Sequence, residues 1–90
     1  MLTKVDHFRI VGPYRVQVTF NDGSSGTHDF APMVASGRNL IAELQDQALF
    51  DRAFLEFGAL SWPNGFDIAP EWLRREMLEA GELRNEVAAE

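Results

Sequence analysis

The strongest constraint on the fold is an alternating pattern near the start of the chain. Residues 14–20 read YRVQVTF, so every second residue is apolar and polar residues lie between them. A period of two residues is typical of an antiparallel strand with one buried and one solvated face. This segment therefore predicts a half-buried strand.

Turn residues on both sides of this strand predict a three-stranded antiparallel meander. A Gly-Pro pair at residues 12–13 separates the strand from an earlier alternating segment at residues 5–10. The sequence NDGS at residues 21–24 supplies residues that tolerate positive φ. We expect the chain to reverse there and to form a third strand over residues 25–30.

The middle of the chain carries weaker signals. Ala31-Pro32 ends the predicted third strand, and apolar residues within 40–44 have the spacing of a short helix. Asp46 is suited to cap a further turn at residues 47–50, because a short side-chain oxygen accepts the free N–H groups of a first turn. Residues 53–57, rich in aromatic side chains, favour a strand over the end of that turn.

Residues 61–73 read SWPNGFDIAPEWL and predict a hairpin. Trp62 precedes proline, which pushes it into an extended conformation, and Pro63 suits the first corner of a turn. Asn64 and Gly65 adopt the remaining turn conformations readily. Most of the unusual residues in this stretch therefore have a structural use.

The same stretch also predicts the start of a helix. Pro70 suits the first helical position, where its missing N–H costs nothing, and Glu71 lies in the first turn, where the helix dipole favours negative charge. Apolar residues then fall on one face of the helix, and Gly81 is placed to end it. The expected fold is one α+β domain over residues 1–81. It comprises the three-stranded antiparallel meander, a short middle helix, a second hairpin and a C-terminal helix, followed by a frayed acidic tail over residues 82–90.

The hairpin motif and several earlier landmarks resemble DUF2442, a family of small bacterial proteins of unknown function. The residues that carry the resemblance are Phe20, Asp22, Gly23, Asp46, Phe50, Trp62, Pro63, Gly65, Asp67, Ile68, Pro70 and Leu73. The resemblance spans residues 5–78 and implies an α+β fold with no established activity. Some members are encoded beside a second small protein and are suspected to be antitoxin-like. Others carry an additional helix-turn-helix domain, for which this sequence offers no matching residues.

Composition argues against several classes of function. Eight basic and 14 acidic side chains give a formal net charge of -6. Affinity for nucleic acids depends on Lys and Arg, and the basic cluster at Arg74, Arg75 and Arg84 alternates with glutamates, so we expect no nucleic-acid partner. The chain has no cysteine and no apolar run of the ~20 residues that a membrane span requires. These features predict a cytoplasmic protein with no membrane segment.

The sequence offers few groups for catalysis. Asp67 is the best candidate for a functional carboxylate, with Glu71 as its partner in an acid–base pair or a ligand site. The alternative is that Asp67 caps the turn or the helix start. No nucleophile motif accompanies these residues, and His7 and His28 are not predicted to be adjacent, so we expect no metal and no cofactor.

Aromatic residues suggest a contact surface. The chain has seven Phe and two Trp, and tryptophan is favoured at the centre of protein interfaces. Trp62 and Trp72 are therefore the predicted partner-contact residues. The leading hypothesis is a non-enzymatic protein-interaction module, acting as a homodimer or as an antitoxin-like partner of a small basic protein. The alternative is a small-molecule-binding domain or minor enzyme that uses Asp67 and Glu71 in an aromatic pocket.

Overall fold

The protein forms two antiparallel sheets and four helices in a computed structural model that describes residues 2–85. The first sheet has the order β1-β2-β3-β7 and the second the order β4-β5-β6. The strands are β1 (Val5–Gly12), β2 (Arg15–Phe20), β3 (Ser24–Asp29), β4 (Phe54–Glu56), β5 (Ala59–Ser61), β6 (Asp67–Ile68) and β7 (Arg84–Asn85). The helices are α1 (Ala31–Ser36), α2 (Leu40–Glu43), α3 (Gln47–Phe50) and α4 (Pro70–Glu79).

The predicted α+β class, meander, second hairpin and C-terminal helix are confirmed. In the middle of the chain, α2 and α3 lie where a short helix and a capped turn are predicted, whereas α1 is an additional helix. The third strand does end before Ala31-Pro32, as predicted, and Pro32 then lies in the first turn of α1, a position where its missing N–H leaves no bond unmade. Asp46 does cap α3, since its side chain accepts a hydrogen bond from the amide of Ala48 at 3.1 Å.

One apolar core joins the two sheets. The alternating face of β2 is fully buried through Val16, Val18 and Phe20. Helix α4 covers this core with Leu73 and Met77, which are also fully buried. Among the described residues no helix has the length and apolar character to cross a membrane, and the longest, α4, has ten residues.

The hairpin between β4 and β5 places an aromatic residue in an unfavourable backbone conformation. Phe57 and Gly58 both have positive φ, at 53° and 80°, as a two-residue hairpin turn of this hand requires. Gly58 also approaches the first sheet closely, where its carbonyl accepts a hydrogen bond from the amide of Val5 at 2.8 Å. Phe57 itself is 93% exposed, so burial does not offset its strained conformation.

The end of α4 is tied to the first sheet. Gly81 has a φ of 74°, its amide donates to the carbonyl of Leu78, and the amide of Glu82 donates to the carbonyl of Met77, which together end the helix. Glu82 Oε1 then lies 2.8 Å from Nδ1 of the half-buried His28.

The predicted boundary at residue 81 therefore needs correction. Residues 82–85 do not fray, because they bond to His28 and form β7, where Arg84 pairs with Ser25. The prediction of a frayed end beyond them, at residues 86–90, lies outside the described residues. The ring of His28 also packs against Phe30 in an edge-to-face arrangement, with ring centres 4.7 Å apart.

The turn between β2 and β3 is anchored to α4 by Asp22. Its carboxylate accepts hydrogen bonds from the Ser24 hydroxyl at 2.6 Å and the Ser24 amide at 2.9 Å. Arg74 of α4 adds an ion pair at 2.9 Å. These hydrogen bonds, with a smaller contribution from Arg74, hold the pKa of Asp22 below its ordinary value.

We expect Asp22→Asn to lower the free energy of unfolding at pH 7 by about 0.5–1 kcal/mol, since partly exposed ion pairs are screened by water. A carboxyl with a lowered pKa in the folded state adds stability above its unfolded pKa of about 3.9. That stability is lost as the pH falls through the lower folded value. Wild type should therefore lose its advantage over Asp22→Asn below about pH 4, as measured by urea unfolding from pH 7 to pH 2. The control is Asp6→Asn, at an exposed strand position. An advantage over Asp22→Asn that stays constant across this range would contradict the interpretation.

Candidate functional site

A groove of about 410 Å³ lies between β6, the helix pair α1–α2 and the first turns of α4. We call it the Trp72 groove. Six of its seven lining residues are apolar or aromatic, and the seventh is a carboxylate. The lining residues are Met33, Ile41, Phe66, Asp67, Ile68, Ala69 and Trp72. An apolar cleft with one polar group is the usual form of a binding site.

The hairpin turn holds one wall of the groove in place. The Trp62 amide donates to the carbonyl of Phe66 at 2.9 Å, and Gly65 closes the turn with a φ of 95°. Asn64 Oδ1 accepts from the Phe66 amide at 3.1 Å. The other end of the Asn64 side chain donates to the carbonyl of Leu40 at 3.1 Å. Residues 63–65 thus form the turn and also fix it against α2.

Asp67 lies on this wall with its carboxylate free. It is exposed, and it pairs with Ser61 across the second sheet. Within residues 2–85 its side chain accepts no hydrogen bond and forms no ion pair. The N-cap of α4 is Ala69, which has no side-chain cap, so the interpretation of Asp67 as a turn or helix cap is not supported by the geometry.

The two tryptophans have different environments. Trp72 is 36% exposed and lines the groove from α4. Trp62 is only 1% exposed and donates its indole N–H to the carbonyl of Phe50 at 2.9 Å. The prediction that both contribute to a partner surface is therefore corrected by burial, and only Trp72 remains available for contact.

Residues 5–78 match the family model of DUF2442, described as a protein of unknown function. The chain belongs to the DUF2442 family. No curated protein and no solved structure matches it. Every lining residue of the Trp72 groove falls within the matched range, whereas Glu82 and β7 lie beyond it. Membership confirms the resemblance found in the sequence, and the family description assigns no activity.

In this DUF2442 chain the groove does not unite the two predicted carboxylates. Glu71 is exposed in the first turn of α4, but it is not part of the lining. Pro70 begins that helix, as the absence of an amide hydrogen allows. The groove lining therefore offers one carboxylate, from Asp67, and the aromatic residues Phe66 and Trp72, which suits a ligand with both a cationic and an apolar part.

Other chemistry is sparse in the described part of this DUF2442 chain. No cluster of three or more His, Asp or Glu residues within 2–85 is arranged to hold a metal ion. A depression of about 170 Å³ on the outer face of β1 and β2 includes Arg9, whose guanidinium already donates to Gln17 at 3.2 Å. A third, of about 310 Å³ beside the β1–β2 turn, includes Asp51, which accepts a hydrogen bond from Gln47.

Met33 and Ile41 are the groove residues that sequence reasoning missed. Both lie in the short helices of the middle segment, and α1 was not predicted at all. Their only sequence signal is that they are apolar residues near loops, which is too common to indicate a site.

Proposed function

We propose that this protein is an interaction module that binds a basic partner protein through the Trp72 groove. The observation that carries the proposal is that one groove lining combines the free carboxylate of Asp67 with the exposed side chain of Trp72 and is otherwise apolar. A carboxylate that has no partner among the described residues is available to a cation from outside. The proposal keeps the hypothesis of a non-enzymatic interaction module. Of the two predicted contact tryptophans it retains only Trp72.

The apolar part of the groove supports burial of a partner side chain. Partly exposed tryptophans in concave sites are frequent hot spots of protein interfaces, where their truncation weakens binding strongly. Met33 and Ile41 line the same groove and offer flexible and branched apolar surface. An apolar side chain of the partner would be desolvated between these walls.

The charge of the chain favours a basic partner over a second copy. Two identical chains, each with a net charge of -6, repel each other on approach. A basic partner is attracted, and a lysine or arginine beside Asp67 would gain an ion pair. This preference is also what an antitoxin-like role beside a small basic protein would require.

A cationic small molecule is the second candidate. The groove volume of about 410 Å³ lies within the ~300–1,000 Å³ typical of ligand pockets. Asp67 alone would anchor such a ligand, because Glu71 is not in the lining. The two candidates can be told apart by the size of what binds. A small ligand passes through a dialysis membrane, and a partner protein does not.

We expect tagged wild-type protein to capture one small basic protein from the cytoplasmic fraction of its native cells, the compartment that the sequence predicts. With that partner purified, Trp72→Ala should weaken binding about 30-fold, as for a hot-spot residue. Removal of the Asp67 charge in Asp67→Asn should weaken it about tenfold. Isothermal titration calorimetry measures both, and circular dichroism verifies the fold.

Leu78→Ala is the matched control, because Leu78 is an exposed apolar residue of the same helix that does not line the groove. It should bind the partner as tightly as wild type. Equal binding by Trp72→Ala and wild type would overturn the proposal. Capture of the protein's own copies alone, with a dimer seen by sedimentation, would replace it with homodimerisation.

A further inference from the structure

The Trp72 groove runs along the open edge of β6. Within residues 2–85, β6 is the last strand of the second sheet and pairs only with β5, through Ile68 to Leu60 and Asp67 to Ser61. Four consecutive residues, 66–69, line the groove. The two of them that form β6, Asp67 and Ile68, offer roughly 7 Å of strand backbone, at about 3.3 Å per residue, to anything seated there.

The hydrogen-bonding pattern of the hairpin leaves the Asp67 backbone facing this open side. The Trp62 amide donates to the Phe66 carbonyl, so residues 62 and 66 form a hydrogen-bonded pair. Hydrogen-bonded and non-bonded pairs alternate in an antiparallel ladder, which makes Ser61 and Asp67 a non-bonded pair. The N–H and C=O of Asp67 consequently point away from β5. Unpaired edge groups of this kind form a template for another strand.

Side chains beside this edge define what such a strand would carry. Successive residues of a strand face opposite sides of its sheet, so Asp67 and Ile68 face opposite sides. The exposed carboxylate of Asp67 selects a lysine or arginine on its side. The buried Ile68 side, with Trp72, selects apolar residues. A strand of alternating basic and apolar residues satisfies both.

Resting on the proposed function, we infer that the basic partner binds by strand addition, placing an extended segment of alternating basic and apolar residues along the open edge of β6. Main-chain hydrogen bonds to Asp67 supply affinity, and the alternating side chains supply specificity. The net negative charge of the chain repels a second copy of itself. The carboxylate of Asp67 in the groove lining attracts a basic segment instead.

The test uses a synthetic hexapeptide of alternating valine and lysine, acetylated and amidated at its ends. We expect it to bind wild type at least about tenfold more tightly than a peptide of alternating valine and glutamate, because only lysine pairs with Asp67. Two further peptides carry N-methyl groups on alternate amides, one set for each edge of the strand. One of them should bind about tenfold more weakly, and the other should bind as the unmethylated peptide does.

Hydrogen exchange of the Asp67 amide is an independent test. A peptide that contacts only side chains would leave this exchange rate unchanged. Binding of the valine–lysine peptide should slow exchange of the Asp67 amide. In Asp67→Asn, which keeps this amide but loses the charge, binding should weaken while the slowing on saturation persists. Trp72→Ala should weaken binding of the same peptide, and Leu78→Ala should not.

The outcomes separate this inference from the proposed function. If both methylated peptides bind as tightly as the unmethylated one and the Asp67 amide exchanges freely, strand addition is wrong. The proposed function then still stands or falls with the effect of Trp72→Ala on the captured partner. If Trp72→Ala leaves partner binding intact, the proposed function itself fails.

Discussion

Trp62→Ala is expected to lower the free energy of unfolding by about 3–5 kcal/mol, the usual cost of deleting a large buried aromatic side chain. Trp62 is fully buried between two other rings, with ring centres 5.5 Å from Phe50 and 5.7 Å from Phe66. Alanine would leave a cavity between them. It would also remove the indole N–H that bonds to the carbonyl of Phe50. Small domains have only about 5–15 kcal/mol of stability in total, so the variant should be unfolded in part or close to it.

Urea unfolding followed by circular dichroism measures this loss, and Trp72→Ala is the matched control. Because Trp72 is 36% exposed, its truncation should cost about 1–3 kcal/mol, less than that of Trp62. Trp62→Phe separates packing from hydrogen bonding, since it keeps a ring but leaves the Phe50 carbonyl without its donor, at a cost of about 1–3 kcal/mol. Similar losses from Trp62→Ala and Trp72→Ala would show that the assigned burial is wrong.

These two tryptophans illustrate what the sequence could and could not predict. Each lies in a correctly predicted local structure, Trp62 before the hairpin turn and Trp72 in the first turn of α4. Those structures follow from proline, asparagine and glycine chemistry, which acts over three or four residues. Burial depends instead on which distant residues pack against each ring. Phe50, twelve residues away, covers Trp62, and no local pattern indicates this.

The prediction for the middle segment missed α1 for a different reason. A proline two residues after a strand is compatible with a loop and equally with the first turn of a helix, because in both cases its nitrogen needs no hydrogen. The choice at Pro32 is made by packing of Val34 into the core, which is a tertiary contact. The Trp72 groove depends on that choice, since Met33 lies in the same helix.

Asp67 shows how a correct local prediction leads to a wrong role. An aspartate shortly before a helix is expected to cap it, but Ala69 occupies the cap position and Pro70 removes one of the amides that would need a cap. The carboxylate of Asp67 therefore does not cap the helix. A group without a structural duty, in a groove that six other residues make apolar, is a stronger functional signal than the residue type alone.

Gly26→Ala is expected to destabilise the protein by about 1–3 kcal/mol, as overpacking of a tight contact does. A Cβ atom on Gly26 would lie 2.1 Å from the carbonyl oxygen of Glu82, where the chain crosses β3 after leaving α4. The obstacle is backbone, so a side-chain rotation cannot relieve it. The crossing segment would have to move away, which breaks the contact of Glu82 with His28 and the pairing of β7.

The matched control is Gly12→Ala, also in a strand of the first sheet, where a Cβ would meet only the Arg15 side chain at the ordinary distance of 3.7 Å. It should change stability by less than about 0.5 kcal/mol. A second experiment repeats Gly26→Ala in a chain that ends after Gly81. With the crossing segment gone, only the flexible end of the Met77 side chain stays close, at 3.3 Å, so the substitution should cost much less, and the difference between the two backgrounds measures the coupling directly. An equal cost in both backgrounds would mean that residues 82–85 do not pack on β3, and would return the end of the domain to residue 81.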